Sequence, residues 1–335
     1  MKKLLIVSNR LPVTIQKKDD TFNFKPSVGG LATGLSSFYK KRNSRWIGWG
    51  DISPSELNSD EKRRIKEKLS SDYDSYPVFL PKEDVDRYYY GFCNKTIWPL
   101  FHGFTQYAVY DKGLWTSYKR VNKKFANTIA EIAETGDTIW IHDYHLLILP
   151  RLLREKLEDA TIGFFLHTPF PPCEVFRLLP WRKEILDSLL NSDLIGFHTY
   201  TYVQNFLSAI RRLRGYEHTL GRIRTDSRIV KVDSFPMGID YDRFTEITNK
   251  PEVKKEIKEI RKEIETKKTI FSIDRLDYTK GIPQRLEAFD LFLEKYPEYK
   301  EKVTLILSAS PSRTRVEQYK TLKREVDELI SKING

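Results

Sequence analysis

Apolar residues gather in seven short runs of strand length, at 4–7, 138–141, 162–166, 194–197, 229–232, 269–273 and 303–307. Longer stretches with helical spacing of apolar and charged positions separate them, at 31–41, 121–134, 146–156, 181–191, 201–214, 283–296 and 316–332. Strands buried on both faces read as continuous apolar runs, so this pattern predicts a parallel sheet with helices on both sides. An α/β fold of Rossmann-like type follows. Ser53-Pro54-Ser55-Glu56 combines an N-cap serine, a proline at the first helical position and a glutamate at the third. That combination predicts a helix over 54–69, inserted after the first βα unit.

After Met237-Gly238-Ile239-Asp240 the apolar pattern gives way to a charged segment over 249–268, and a new strand begins at Thr269. The shift predicts two domains, 1–245 and 246–335. From Thr269 to Gly335 the pattern gives two strands and two helices, about half of a doubly wound domain. A length of 335 residues suits two domains of ~150 residues each.

Hydrophobic residues make up 40% of the chain and charged residues 31%, a composition that folds in water rather than staying disordered. The net charge of +11 suits anionic ligands, either phosphorylated metabolites or nucleic acid. No nucleic-acid recognition motif accompanies it, and runs such as 61–68 read as solvated helix faces, so a nucleic-acid partner is not expected. Cys93 and Cys173 lack CxxC spacing, which argues against a zinc ribbon or a disulfide framework and for a reducing, cytoplasmic setting. The apolar run at 4–7 is too short for a signal or membrane segment and reads as the first core strand.

In an open parallel sheet, ligands bind beyond the carboxyl ends of the strands, so the residues after each apolar run carry the chemistry. Those residues are Arg10, His142-Asp143, His167, His198 and Arg275, with Arg313 a few positions past the last run. Gly29-Gly30 precedes a helix and would let backbone N–H groups approach a diphosphate; a plain turn is the competing reading. Arg275 and Lys280 stand just after a strand and just before a helix, where two cations can neutralise a departing diphosphate without a metal. The competing reading pairs them with Asp274 and Asp277 at the surface. His142 and His145 flank Asp143 without a third metal ligand in view, and Asp143 is better placed to accept sugar hydroxyl hydrogen bonds. Tyr88-Tyr89-Tyr90-Gly91-Phe92 and Trp98-Pro99 read as aromatic loop segments that pack against a sugar or within the core.

Five segments, in order, resemble the trehalose-6-phosphate synthase family: Val7-Ser8-Asn9-Arg10-Leu11-Pro12; Gly29-Gly30-Leu31; Ile139-Trp140-Ile141-His142-Asp143-Tyr144-His145-Leu146; Gly163-Phe164-Phe165-Leu166-His167-Thr168-Pro169-Phe170-Pro171; and Arg275-Leu276-Asp277-Tyr278-Thr279-Lys280-Gly281. The resemblance implies a GT-B fold of two Rossmann-like domains, the second incomplete here. It also implies metal-free, retaining transfer of glucose from UDP-glucose to glucose 6-phosphate, with no cofactor. Carried over residue by residue, it assigns acceptor contacts to Arg10, Tyr89, Trp98, Asp143 and Arg313, and donor contacts to Gly29, Gly30, His167, Arg275 and Lys280. His167, Asp143, Arg275 and Lys280 would carry the catalytic step. The family pattern continues beyond the counterpart of Gly335 with an acidic pair that holds the nucleotide ribose, so that half of the donor site is expected to lie outside these residues. A homo-oligomer or a complementing chain is the expected protein partner. A non-catalytic sugar-phosphate-binding or assembly module is the alternative, and a relative acting on a neutral glucan end is the nearest enzymatic rival, against which Arg10 and Arg313 argue.

Overall fold

The computed structural model describes residues 2–19, 21–27, 30–39, 43–264, 268–311, 313 and 315–335. The backbone falls into two compact units, Met1–Ile239 and Asp240–Gly335. All seven apolar runs are strands, and their extents exceed the runs at the carboxyl end in several cases because polar site residues continue the extended backbone.

In the first unit these strands are β1 (Leu4–Arg10), β6 (Thr138–His142), β7 (Thr161–Leu166), β8 (Leu194–Phe197) and β11 (Ile229–Ser234). They are joined by β4 (Ser44–Trp49), β5 (Ser75–Pro77), β9 (His218–Thr219) and β10 (Arg222–Arg224). The sheet runs in the order β5-β4-β1-β6-β7-β8-β11-β10-β9. It is parallel from β5 to β11, and its last two pairings are antiparallel. From β1 the chain first moves to β4 on one side and later returns to β6 on the other. The order therefore reverses between β1 and β6, and such a switch point opens a crevice beyond the carboxyl ends of the two strands.

Three sequence expectations are corrected. Ser53 does cap a turn, but only the 3-10 turn Pro54–Glu56; Leu57 then swings into the core and breaks the helix there. The helix starts at Ser59, behind Asn58, whose side chain accepts from the Glu61 N–H at 2.9 Å while the Glu61 carboxylate accepts from the Asn58 N–H. A helix expected from 121 begins at Lys112, because Asp111 caps it by accepting from the Leu114 N–H at 2.7 Å. Finally, Tyr88 to Phe92 and Trp98 are helical rather than loop-like: Asp86–Ile97 is a π-type helix that passes directly into Trp98–Phe101. Sustained π-type pairing is rare and recurs at functional sites. Asp84, almost fully buried, braces its approach by accepting from Arg120 Nε at 2.7 Å and Lys124 Nζ at 2.6 Å on the Lys112–Ile132 helix.

The second unit pairs β12 (Lys268–Arg275) with β13 (Val303–Ser310) in parallel register. Helices Ile282–Lys295 and Glu317–Asn334 pack on it through Leu276, Ile282, Leu286, Leu322 and Val326. Helices Tyr241–Ile247 and Pro251–Glu263 belong to the same unit.

Candidate active site

Arg10 is aimed by an irregularity in its own strand. The β1–β4 register shifts between Val7 and Arg10, and an extra residue in a strand re-aims the side chain that follows it. Ser8 fixes the shifted backbone: its hydroxyl donates to the Arg10 carbonyl at 2.7 Å and accepts from Trp46 Nε1 at 2.8 Å. Gly48 opposite admits this close approach, since a Cβ there would stand 2.8 Å from the Arg10 carbonyl carbon. The guanidinium that results lies over the Trp49 ring at 4.9 Å and the Tyr89 ring at 5.3 Å, and forms an ion pair with Asp51. Burial pushes the Asp51 carboxyl above its ordinary range, with Arg10 only partly offsetting that effect.

Tyr89 is held because Tyr88, its buried neighbour on the π-type helix, donates to Asn9 Oδ1 at 3.1 Å and to the His145 carbonyl at 3.2 Å. The Tyr89 ring also stacks on His145 at 5.7 Å, and His145 Nδ1 lies 3.9 Å from Asp143 Oδ2. A continuous set of contacts thus links Arg10 at the end of β1 to Asp143 at the end of β6, across the switch point. Trp98 stacks at a tilt on His102 and Tyr144 and is nearly buried, a wall residue more than a reaching one.

Asp143 carries φ 76° and ψ 169°, a conformation essentially confined to glycine. Two contacts hold it there. Its N–H donates to the Phe165 carbonyl at 2.7 Å, and its Oδ1 accepts from the His167 N–H at 3.2 Å. His167 in turn shares a 3.0 Å ring hydrogen bond with His142, and His198 stands beside it with ring centroids 5.2 Å apart. Burial, reinforced by His198, lowers the His167 pKa to about 3, and burial with His167 beside it pushes His142 well below its ordinary value.

Both imidazoles are therefore neutral in the folded protein through the physiological range, while the unfolded chain binds protons below about pH 6.5. Their contribution to stability is intact above that pH and is lost as pH falls from about 6.5 towards 3, because the unfolded state takes up the protons. Each group removes about 1.4 kcal/mol per pH unit in that window. Urea unfolding at pH 7 and pH 5 is expected to show a loss of about 4 kcal/mol, about 2 kcal/mol from each imidazole, that falls by about half in His167→Gln; a flat profile between those values would exclude the neutral pair.

Gly30 opens the helix Gly30–Tyr39, and a Cβ built on it meets nothing within 4 Å. Gly29 lies outside the described residues. Arg275, Lys280 and Arg313 belong to the second unit. Arg275 ends β12, and Lys280 ends the 3-10 turn Tyr278–Lys280 immediately before helix Ile282–Lys295. The aspartates beside them in sequence serve other cations: Asp274 accepts from Arg285 at 2.9 Å, and Asp277 accepts from Arg313 at 2.5 Å and from the Tyr319 hydroxyl at 3.0 Å. Burial would raise the Asp277 carboxyl, but Arg313 with the Thr279 and Tyr319 hydrogen bonds outweighs it and leaves the carboxyl below its ordinary range. Arg313 is accordingly part of a packed network, its side chain only 5% exposed.

Trp49 and Asp51 are site neighbours that the strand-end reading missed, because Ser44-Arg45-Trp46-Ile47-Gly48-Trp49 is not an apolar run and its strand went unrecognised. A tryptophan followed by glycine and an acidic residue was the available signal. No group of three or more histidine, cysteine or acidic side chains is arranged to hold a metal among the described residues, and no described helix is long and apolar enough to cross a membrane.

A model described as glycosyltransferase family 20 matches residues 2–335. The chain is 46% identical over 334 residues to alpha,alpha-trehalose-phosphate synthase [UDP-forming] A of Dictyostelium discoideum, covering 99% of this chain and 45% of that one. A solved structure of trehalose-6-phosphate from E. coli bound with UDP-2-fluoro glucose matches with a TM-score of 0.86 at 29% identity, over 100% of this chain and 70% of that one. A trehalose-phosphate synthase (UDP-forming) from Burkholderia xenovorans in complex with glucose-6-phosphate matches with a TM-score of 0.86 at 28% identity, over 100% and 71%. The chain spans about half the length of the Dictyostelium relative and about two thirds that of a second curated relative, from Aspergillus niger.

Proposed function

Since this chain belongs to glycosyltransferase family 20, we propose that it transfers glucose from UDP-glucose to glucose 6-phosphate, releasing UDP and trehalose 6-phosphate with retention at the anomeric carbon. The observation that carries this reading is the Arg10 site: a strand-end guanidinium walled by Trp49 and Tyr89 and joined by Tyr89 and His145 to the Asp143 carboxylate. A cation for a phosphate, aromatic faces for a sugar ring and a carboxylate for its hydroxyls suit a sugar phosphate better than a neutral glucan end. The bound ligands of the two solved relatives support the same pair of substrates.

In this reading the first unit binds the acceptor and the second the nucleotide sugar. The acceptor hydroxyl attacks the anomeric carbon on the face the diphosphate leaves; the new C–O bond forms as the C–O bond to UDP breaks, and the departing phosphate oxygen takes the hydroxyl proton. Arg275 and Lys280 stabilise the charge that develops on the diphosphate. His167, neutral with its pKa at about 3, lines the sugar ring and its forming cation instead of acting as a free base. Cys93 and Cys173 are buried and form no disulfide among the described residues, which supports a reducing, cytoplasmic site of action.

Calorimetric titration with glucose 6-phosphate, run beside an assay for trehalose 6-phosphate, tests the reading. Arg10→Ala is expected to weaken glucose 6-phosphate binding by about 100-fold, the worth of a charged hydrogen-bonding partner. Undiminished affinity in that variant would sink the acceptor assignment. Binding without turnover is the outcome that favours a sugar-phosphate-binding module.

A further inference from the structure

The guanidinium of Arg10 is a restricted anion site. Its donors lie in one plane, and its carbon stands over two aromatic rings, Trp49 at 4.9 Å and Tyr89 at 5.3 Å. An anion bonds to it along the in-plane edges, and the Asp51 carboxylate already takes one of these through Nη1. Asp51 holds that place from an awkward position. Its backbone is left-handed, with φ 63°, and its side chain is three-quarters buried, where negative charge is poorly solvated. The preceding residue is pinned: the Gly50 carbonyl accepts from the Ile15 N–H at 2.9 Å, and a Cβ on Gly50 would strike Ile15. The loop therefore fixes Asp51 beside Arg10, and the side chain must swing for the carboxylate to leave.

Arg10 itself has other supports. The Ser8 hydroxyl bonds its carbonyl, the shifted register aims it and two rings lie against it. Removing the Asp51 charge would leave the guanidinium in place with a freed edge. A carboxylate that merely positioned Arg10 would be redundant here, whereas one that shares its donors with an incoming phosphate must be displaced or must repel it.

We propose that Asp51 is an intramolecular competitor for the anion site on Arg10, displaced by the acceptor's phosphate, and that it sets how strongly this chain favours phosphorylated over unphosphorylated glucose. The proposal rests on the acceptor role of Arg10. It makes Asp51 a specificity-determining residue that tempers, and does not supply, phosphate affinity.

Titration of the wild-type chain, Asp51→Asn and Asp51→Gly with glucose 6-phosphate, inorganic phosphate and glucose decides it. Asparagine keeps the shape and tolerates a left-handed backbone, and glycine suits that backbone without any side chain, so one variant covers a folding failure of the other. Relieving a like charge near a partly buried site is expected to tighten glucose 6-phosphate and inorganic phosphate by about tenfold, leaving glucose unchanged. The gain should shrink at high salt. Equal or weaker phosphate binding in the variants overturns the competitor role while leaving the acceptor reading standing. Failure of wild type and variants alike to bind glucose 6-phosphate overturns both.

Discussion

Arg275→Ala and Lys280→Ala are each expected to lower turnover by about 10²–10³-fold, the usual loss when one preorganised donor to a developing charge is removed. Their placement is the reason. Arg275 closes β12, Lys280 closes the following turn, Gly281 takes φ 61° and helix Ile282–Lys295 starts at once. A diphosphate placed there as proposed would meet the positive end of a helix and two cations from a single short loop. Asp274 and Asp277 on the same loop pair with Arg285 and Arg313. Two readouts check the assignment: turnover, and calorimetric affinity for UDP-glucose and UDP. Both should fall in either variant while the glucose 6-phosphate titration keeps its wild-type constant. A change below threefold in turnover and in nucleotide affinity would remove these residues from the reaction.

The candidate residues legible in the sequence were those carried by continuous apolar strands. Arg10, Asp143, His167 and Arg275 each follow such a run, and burial on both faces of a parallel sheet makes those runs conspicuous. Trp49 and Asp51 were hidden because β4 opens on Ser44 and Arg45 and is interrupted at Gly48, so it offers no continuous apolar run; Gly48 is there to admit the Arg10 backbone, not to fill a core. The π-type helix that delivers Tyr89 has no sequence period of its own; it is fixed by tertiary hydrogen bonds from Tyr88 to Asn9 and His145. The helix start at Ser59 was a local contest between two caps. The burial of Leu57, which no capping rule contains, decided it for Asn58.

Backbone strain at Asp143 gives the second large effect, and it separates stability from activity. With φ 76° and ψ 169°, any residue but glycine carries a penalty of about 1–3 kcal/mol here. The Asp143 side chain offsets part of that by accepting from the His167 N–H, which ties the end of β6 to the end of β7. Asp143→Ala retains the penalty and loses the hydrogen bond; Asp143→Gly loses the hydrogen bond and the penalty together. Alanine is ordinarily the more stabilising of the two by about 0.5–1 kcal/mol through unfolded-state entropy. At this position the order should invert, with the glycine variant more stable than the alanine variant by about 1–2 kcal/mol in urea unfolding. Both variants should lose about 10–10²-fold in glucose 6-phosphate affinity, as expected when a charged acceptor of sugar hydroxyls is removed. A glycine variant that is the less stable of the two would show that Asp143 stores no strain. A glycine variant that binds glucose 6-phosphate as wild type does would show that the strained carboxylate is not there for the sugar. The two measurements together test whether the fold spends stability at the end of β6 to hold one carboxylate against the crevice.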